Sequence, residues 1–532
     1  MSAAQDETSD IFFDVRNSTV GADFIKAREL STKLTTTKDV TTSLLGAETS
    51  TSAPHKQQLR PFTVYIVTWN VGSRFPDNIS LKNLLQLHSI HNVLPEKPQL
   101  PDVYAIGLQE INAQPQNQVL GLFKEDPWTN KAKEVLKHHD YVVIKTEQMQ
   151  GLLLTLFVKR EHVHHLRDIE AEFTRTGFGG IWGNKGAVSI RFNIYGCAIT
   201  FIVAHLAAHD RHLEERIEDY KQIMEHHHYH VKRYREIFEH DYVFWFGDLN
   251  FRLQGDDPPE EVLADVQQEK LSELLQRDQL FYVRERTREA FHLMEERLPE
   301  FPPTFKFKEG TSIYDLKRRP AWTDRIMYAV QPLEMQPKVP LEIKQISYKS
   351  HPGYNISDHK PVTSEFEIQL FKNYRATCVE FADITVWNIG KEITVEYTKP
   401  LDFEEKDHDW IGIYPCNFTS LTDYSGYEYV NQAETPPLAD FDETQPPLAH
   451  HHRHHNRQRL RRQMQQNSEM VRIDFSDEIE LKVGENYILI YFQNTGLRGV
   501  TSVAGMSNVF QADKRPFSIT YQVYIIKYTS YF

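Results

Sequence analysis

The stretch Phe244–Leu253, reading Phe-Trp-Phe-Gly-Asp-Leu-Asn-Phe-Arg-Leu, narrows what this chain can become more than any other. Its apolar run Tyr242 to Phe246 has the composition of a buried strand, and the run stops at Gly247. Asp248 and Asn250 follow with one residue between them. Side chains two apart in an extended segment share a face, so a carboxylate and a carboxamide point into one crevice. The carboxylate can take a proton from water, and the carboxamide can hold the water or a substrate oxygen. Gly-Asp-x-Asn also makes an ordinary Asx turn, so the surroundings have to decide between the two.

Two more strands end in polar groups: Thr63 to Thr68 leads into Trp69-Asn70, and Val103 to Leu108 into Gln109-Glu110. In a layered α/β protein the strand ends of one edge line a common crevice, so these groups are expected to converge. For any one of them a solvated strand terminus is the alternative, and it weakens as the examples accumulate. Strands are also expected at Tyr141 to Lys145, Leu152 to Val158, Ala187 to Phe192 and Ala198 to Val203, with His205 just beyond the last. The glycine-rich loop Gly177 to Gly186 can set backbone N–H groups and the Lys185 ammonium against a phosphate, although its spacing is not that of a nucleotide P-loop. Its Ile181 and Trp182 either touch lipid or fill a hairpin tip.

Leu213, Ile217, Tyr220 and Met224 recur at helical spacing and predict a helix from Arg211 to about Phe238, with His226, His227, His228 and His230 on a solvated face of it. A further helix is expected from about Pro259 to Leu280. Lys306, Lys308, Lys317, Arg318 and Arg319 then form either a solvated loop or an anion site. A strand follows at Ala321 to Tyr328, and Asp358-His359 stands at the edge of another, offering a carboxylate and a cation.

At 532 residues the chain is expected to hold two domains plus tails. A formal charge of −14 argues against a general nucleic-acid binder, so a phosphorylated substrate needs a local basic patch. Cys197, Cys378 and Cys416 lack metal-ligand spacing and suit a reducing compartment. The N-terminus lacks a signal-peptide pattern and no apolar run has bilayer-spanning length, so any membrane contact is expected to be peripheral. Residues 1–59, rich in Ser and Thr, are expected to be a disordered tail, with Phe24 to Leu34 as its one candidate helix. Residues 379–430 and 470–528 read as short alternating strands of an all-β sandwich, interrupted by a low-complexity insertion at about 432–468 that includes the tract His450 to Gln466.

Taken in order, Trp69-Asn70, Leu108-Gln109-Glu110, His205, Gly247-Asp248-Leu249-Asn250-Phe251-Arg252, Pro320-Ala321-Trp322-Thr323-Asp324-Arg325-Ile326 and Ser357-Asp358-His359-Lys360-Pro361-Val362 resemble the inositol polyphosphate 5-phosphatases. The resemblance covers about residues 60–370. Beyond 371, Val379-Glu380-Phe381, Tyr397-Thr398 and Asp409-Trp410-Ile411-Gly412-Ile413-Tyr414 look like a SKICH domain. The resemblance implies a four-layer α/β sandwich of the endonuclease/exonuclease/phosphatase superfamily followed by an all-β, immunoglobulin-like SKICH domain. It implies Mg²⁺-dependent removal of the 5-phosphate from phosphoinositides or soluble inositol polyphosphates, in a cytoplasmic protein peripherally associated with the plasma membrane or endoplasmic reticulum, with protein partners reached through the SKICH domain and no nucleic acid.

By the same resemblance Glu110 is the principal Mg²⁺ ligand, Asp248 the base, Asn250 the residue fixing the water, and Asn70 the bridge from metal to phosphate. His359 donates to a phosphate oxygen, Asp324 orients it, His205 binds the phosphate from the other side, and Asp358 belongs to the metal's outer shell. Lys185, Lys306, Tyr314, Lys317 and Arg318 match positions that bind neighbouring ring phosphates. Phe305 replaces the family's tyrosine, and the 314–320 loop is about three residues shorter than the family pattern. A superfamily nuclease and a catalytically silent adaptor acting through the SKICH domain are the competing functions.

Overall fold

The computed structural model describes residues 59–87, 100–111, 125–176, 185–331, 341–372, 374, 376, 378–430, 468–494 and 499–514. The expected N-terminal tail, the tip of the glycine-rich loop with Ile181 and Trp182, and nearly all of the 432–468 insertion lie outside the described residues.

The strands run in chain order as β1 (Leu59–Asn70), β2 (Val103–Gln109), β3 (Tyr141–Met149), β4 (Leu152–Lys159), β5 (Leu166–Thr176), β6 (Lys185–Ile194), β7 (Cys197–His205), β8 (Tyr242–Asp248), β9 (Asp324–Val330), β10 (Ile343–Ser350) and β11 (Val362–Phe371). One sheet has the order β10-β11-β1-β2-β4-β3, and the second contains β5-β6-β7-β8-β9. Within these strands each sheet has one parallel pair, β1 with β2 and β7 with β8, and the other neighbours among β1 to β11 are antiparallel.

The unbroken apolar runs follow from burial on both faces. Val64 and Ile66 of β1 meet Phe201, Phe244 and Phe246 in the core between the sheets, while Tyr65, Val67 and Trp69 face outward into a second core. That outer core is closed by α1 (Pro127–Leu136), which contributes Trp128, Ala132 and Leu136. On the far side Val243 and Trp245 pack against Ile217, Tyr220 and Ile223 of α2 (Leu213–His226). Helix, sheet, sheet, helix is the expected four-layer sandwich. Gly107 lets the sheets approach closely there, since a Cβ would stand 2.5 Å from the Phe246 ring.

Two helices depart from expectation. α2 ends at His226, not near Phe238, because the His227 ring leaves the helix and lodges between β5 and β6, at 2.9 Å from Thr174 Oγ1 and 2.6 Å from Ser189 Oγ. His227 is therefore buried, and His230 faces Glu170 instead of bulk water alone. The helix expected from Pro259 to Leu280 is three pieces, α3 (Pro259–Gln267), α4 (Leu271–Leu275) and α5 (Gln279–Phe281). The break before α5 is imposed by Asp278, whose buried carboxylate binds Arg325 at 2.9 Å while capping Phe281 N.

The C-terminal strands are β12 (Glu380–Phe381), β13 (Val386–Asn388), β14 (Ile393–Pro400), β15 (Trp410–Pro415), β16 (Gly426–Tyr429), β17 (Ser468–Phe475), β18 (Asn486–Asn494), β19 (Thr501–Met506) and β20 (Phe510–Asp513). The small sheet β12-β14-β17 packs on the layer holding β13, β20, β18 and β15 around Trp387, Val395, Ile413, Phe475 and Leu489. This is the expected all-β sandwich. It is joined to the first domain edge to edge, because Thr501 of β19 pairs with Ile169 of β5 and continues the second sheet.

Candidate active site

Register decides which side chains meet. The parallel pairing of β7 with β8 sets His205 beside Asp248, and the antiparallel pairing of β8 with β9 sets Asp324 on its other side. Gly186 at the start of β6 pairs with His205, which brings Lys185 to the same edge. Gly247 allows this crowding, since its φ is +142° and a Cβ would collide with the Ala204 carbonyl. From the first sheet, parallel β1 and β2 deliver Asn70 and Gln109 together, with Glu110 one residue on.

At the centre is Asp248, 1% exposed. Asn70 Nδ2 donates to its Oδ2 at 3.0 Å and to Glu110 Oε1 at 3.0 Å. His205 Nε2 lies 3.4 Å from Asp248 Oδ2 and 3.9 Å from Glu110 Oε1. His359 Nε2 stands 3.8 Å from Asp248 Oδ2 on the opposite side, and its Nδ1 is 3.0 Å from Asp324 Oδ2. Thr304 and Thr323 hydroxyls donate to that same Asp324 oxygen at 2.6 and 2.9 Å. The Asn250 carboxamide is clamped at both ends, its Nδ2 donating to Leu206 O and its Oδ1 accepting from Arg252.

Burial raises the Asp248 carboxyl above the usual range, with the His359 charge opposing and Asp324 reinforcing the rise. Burial would push His359 down, yet Asp324 and Asp248 outweigh it and lift it to about 9. His205 goes the other way: burial, then Lys185 and His359, hold it well below its ordinary value. One histidine is thus an imidazolium and the other a neutral ring, with a strained carboxylate between them. The Lys185 ammonium lies against His205 Nε2, so that nitrogen accepts and the ring proton sits on Nδ1.

The structure therefore brings together Asn70, Glu110, Lys185, His205, Asp248, Asn250, Asp324 and His359. Asp358 is held by Lys306 Nζ at 2.6 Å. Both line a cavity of about 680 Å³ together with Lys308, Lys317 and Arg318. Tyr314 is turned away from it, its hydroxyl donating to Pro303 O at 2.7 Å and its ring stacked on Phe307. Sequence reading gave no role to Arg252, which grips Asn250 through both Nε and Nη2, or to Thr304, and counted Lys308 only among the cations of a solvated loop or anion site. The signal for Lys308 was its alternation with Lys306 in an extended segment. Thr304 reaches Asp324 only through tertiary contact, whereas Arg252 bonds Asn250 two residues before it.

Glu110 and Asn250 have φ of +53° and +58°, and a glutamate in the left-handed region is uncommon. The donor chemistry fits a hard divalent cation. Glu110 keeps its side chain 45% exposed at the mouth while the Asn70 amide ties it to buried Asp248, so two carboxylates meet where an ion can enter with its water.

Two family models match, Endonuclease/Exonuclease/phosphatase family 2 over residues 67–365 and the SKICH domain over residues 379–512. The chain belongs to that phosphatase family and carries a SKICH domain behind it. Within the family it is similar to inositol polyphosphate 5-phosphatases. Inositol polyphosphate 5-phosphatase K of Mus musculus is 34% identical over 379 residues, covering 69% of this chain and 79% of that protein. Phosphatidylinositol 4,5-bisphosphate 5-phosphatase A of Mus musculus is 34% identical over 419 residues, or 77% of this chain, and the chain spans 40% of that relative's length. The crystal structure of the inositol polyphosphate 5-phosphatase domain of a synaptojanin, in complex with inositol (1,4)-bisphosphate and calcium ion, is 33% identical with a TM-score of 0.49, over 59% of this chain and 86% of that one.

Proposed function

We propose that this chain is a Mg²⁺-dependent phosphatase that removes the 5-phosphate from phosphoinositides such as phosphatidylinositol 4,5-bisphosphate and 3,4,5-trisphosphate, and from soluble inositol polyphosphates. The observation that carries the reading is buried Asp248 between a charged His359 and a neutral His205, next to a cavity lined by Lys306, Lys308, Lys317 and Arg318. In a negatively charged protein, a cavity where Lys306, Lys308, Lys317 and Arg318 outnumber the carboxylates Glu309, Asp315 and Asp358 suits a phosphate ester.

Asp248, its carboxyl raised by burial, takes the proton of the attacking water, and Asn250, fixed by Arg252, aligns that water. The His359 imidazolium, steered by Asp324, donates to a phosphate oxygen through Nε2. The Lys185 ammonium turns from His205 toward the phosphate, after which the neutral His205 ring, its proton moved from Nδ1 to Nε2, donates to the same group. Glu110 and Asn70 would hold the Mg²⁺, which when bound would neutralise charge growing on the phosphate and the leaving oxygen. Lys306, Lys308, Lys317 and Arg318 hold neighbouring ring phosphates. With Phe305 in the family's tyrosine position and Tyr314 bonded to Pro303, this recognition rests on cations and not on phenols.

Catalysis on this reading belongs to residues 60–370, and the SKICH domain, residues 371–532, directs the enzyme to membranes or protein partners. Membrane contact is peripheral: among the described residues no helix is long and apolar enough to cross a bilayer. Phe75 and Ile313, 47% and 62% exposed, sit on loops joined by the Arg74–Glu309 ion pair near the cavity and face the lipid. The test is phosphate release from vesicles carrying phosphatidylinositol 4,5-bisphosphate, with soluble inositol 1,4,5-trisphosphate alongside and Asp248→Asn as the blank. Release from either substrate, absent in the variant, is expected; no release from either with Mg²⁺ present leaves the adaptor function standing.

A further inference from the structure

Glu170 and Glu172 lie two apart on β5 and so share one face of the second sheet. His230, from the segment that follows α2, comes down on that face. Its Nδ1 is 2.9 Å from Glu170 Oε1 and 3.0 Å from Glu172 Oε1. The three offer ligand atoms all within 4.8 Å of one another. Glu170 is fully buried, and its Oε1 accepts from both His230 N and Nδ1, whereas its Oε2 is buried with no hydrogen-bond partner among the described residues. Arg191 pairs with Glu170 across the strands and supplies a nearby positive charge, but directs its Nε to His240, Nη1 to Asp168 O and Nη2 to Asn193. A buried carboxylate oxygen with no donor is costly unless something cationic meets it.

We infer that Glu170, Glu172 and His230 form a second metal site, built for a divalent transition ion such as Zn²⁺. One imidazole nitrogen and two carboxylate oxygens are a zinc-like donor set, while Mg²⁺ prefers oxygen alone. Glu172 and His230 are 23% and 34% exposed, which leaves an entry path and room for water as a fourth ligand. The ion replaces the His230 Nδ1 hydrogen bonds to the two glutamates and gives the buried Oε2 a partner. The site is separate from the catalytic edge: Glu170 lies six residues along β5 from Thr176, which pairs with Lys185, or ~20 Å at strand spacing. An ion there staples the segment after α2 to β5, which makes its role structural.

The experiment is equilibrium dialysis of the chelator-treated full chain against Zn²⁺ with Mg²⁺ saturating, beside His230→Asn and Glu172→Gln, followed by thermal melts. The wild type should bind one more equivalent of Zn²⁺ than either variant and melt higher with Zn²⁺ than without. Co²⁺ should give the visible absorption of a low-coordinate site in the wild type alone, and Mg²⁺-supported phosphate release should be the same in all three. Equal Zn²⁺ stoichiometry in all three proteins overturns the assignment. Should His230→Asn not fold, Glu172→Gln, altered at a partly exposed side chain, decides it alone.

Discussion

Asp248 holds a carboxylate where burial disfavours charge, and the His359 cation, Lys185, the Asn70 amide and the Asn250 N–H make that charge tolerable. Asp248→Asn keeps the shape and removes the proton acceptor. Phosphate release should fall by ~100- to 10,000-fold with the fold retained by circular dichroism. Arg252 acts one step removed, holding Asn250 through two donors while its guanidinium lies 4.4 Å above the Phe305 ring. Lysine keeps the charge and loses the fork, so Arg252→Lys should lower kcat by ~10- to 100-fold and move KM much less. An equal loss in the melting temperature and in kcat would instead mark Arg252 as a packing residue.

The segment after α2 shows how an element ends for reasons outside its own pattern. The His227 ring is buried against Thr174 and Ser189, and burial, then His228, lowers its pKa to about 3. A histidine depressed in the fold contributes stability that is complete above its unfolded value of ~6.5 and is lost as pH falls from there toward 3. Between pH 7 and pH 5 this one group should cost about 2 kcal/mol of stability. His227→Gln, which keeps polar atoms near both hydroxyls, should shrink the difference between urea midpoints measured at those two pH values. An unchanged difference would show that His227 is already exposed in the folded state.

At the scale of the whole molecule, the SKICH strands do not hang from a linker. Trp410, Phe418, Phe492 and Val503 belong to the same apolar core as Leu166, Ile169 and the inter-sheet residues of the phosphatase. Val143 N donates to Thr419 O at 2.8 Å, Leu421 N to Val143 O at 3.0 Å, and Arg160 caps Phe418 through both its carbonyl and its ring. Cutting the chain after residue 370 would uncover this surface. The full chain should therefore unfold in a single transition, and Phe418→Ala should lower it as a whole, by roughly 3 to 5 kcal/mol. Two transitions, with only one of them moved by the substitution, would describe independent modules.

Strand character and the polar residues at strand ends were legible because apolar runs and their interruptions are local properties of the chain, whereas the four layers were implied by the family resemblance. The same local signal led to the expectation that Asn70, Glu110, Asp248 and Asn250 converge at one edge. Register was not legible, and register set Asp324 beside Asp248 and Lys185 beside His205. Helical spacing extended α2 too far, since nothing within it announces that β5 and β6 have a polar pocket for His227. Tyr314 and Glu170 share that limit, their partners lying 11 and 60 residues away. The chain by itself determined which elements form and which chemical groups end them. Only the tertiary structure decided which of those groups touch and which are protonated, because desolvation and hydrogen bonding depend on neighbours that the chain order does not bring together.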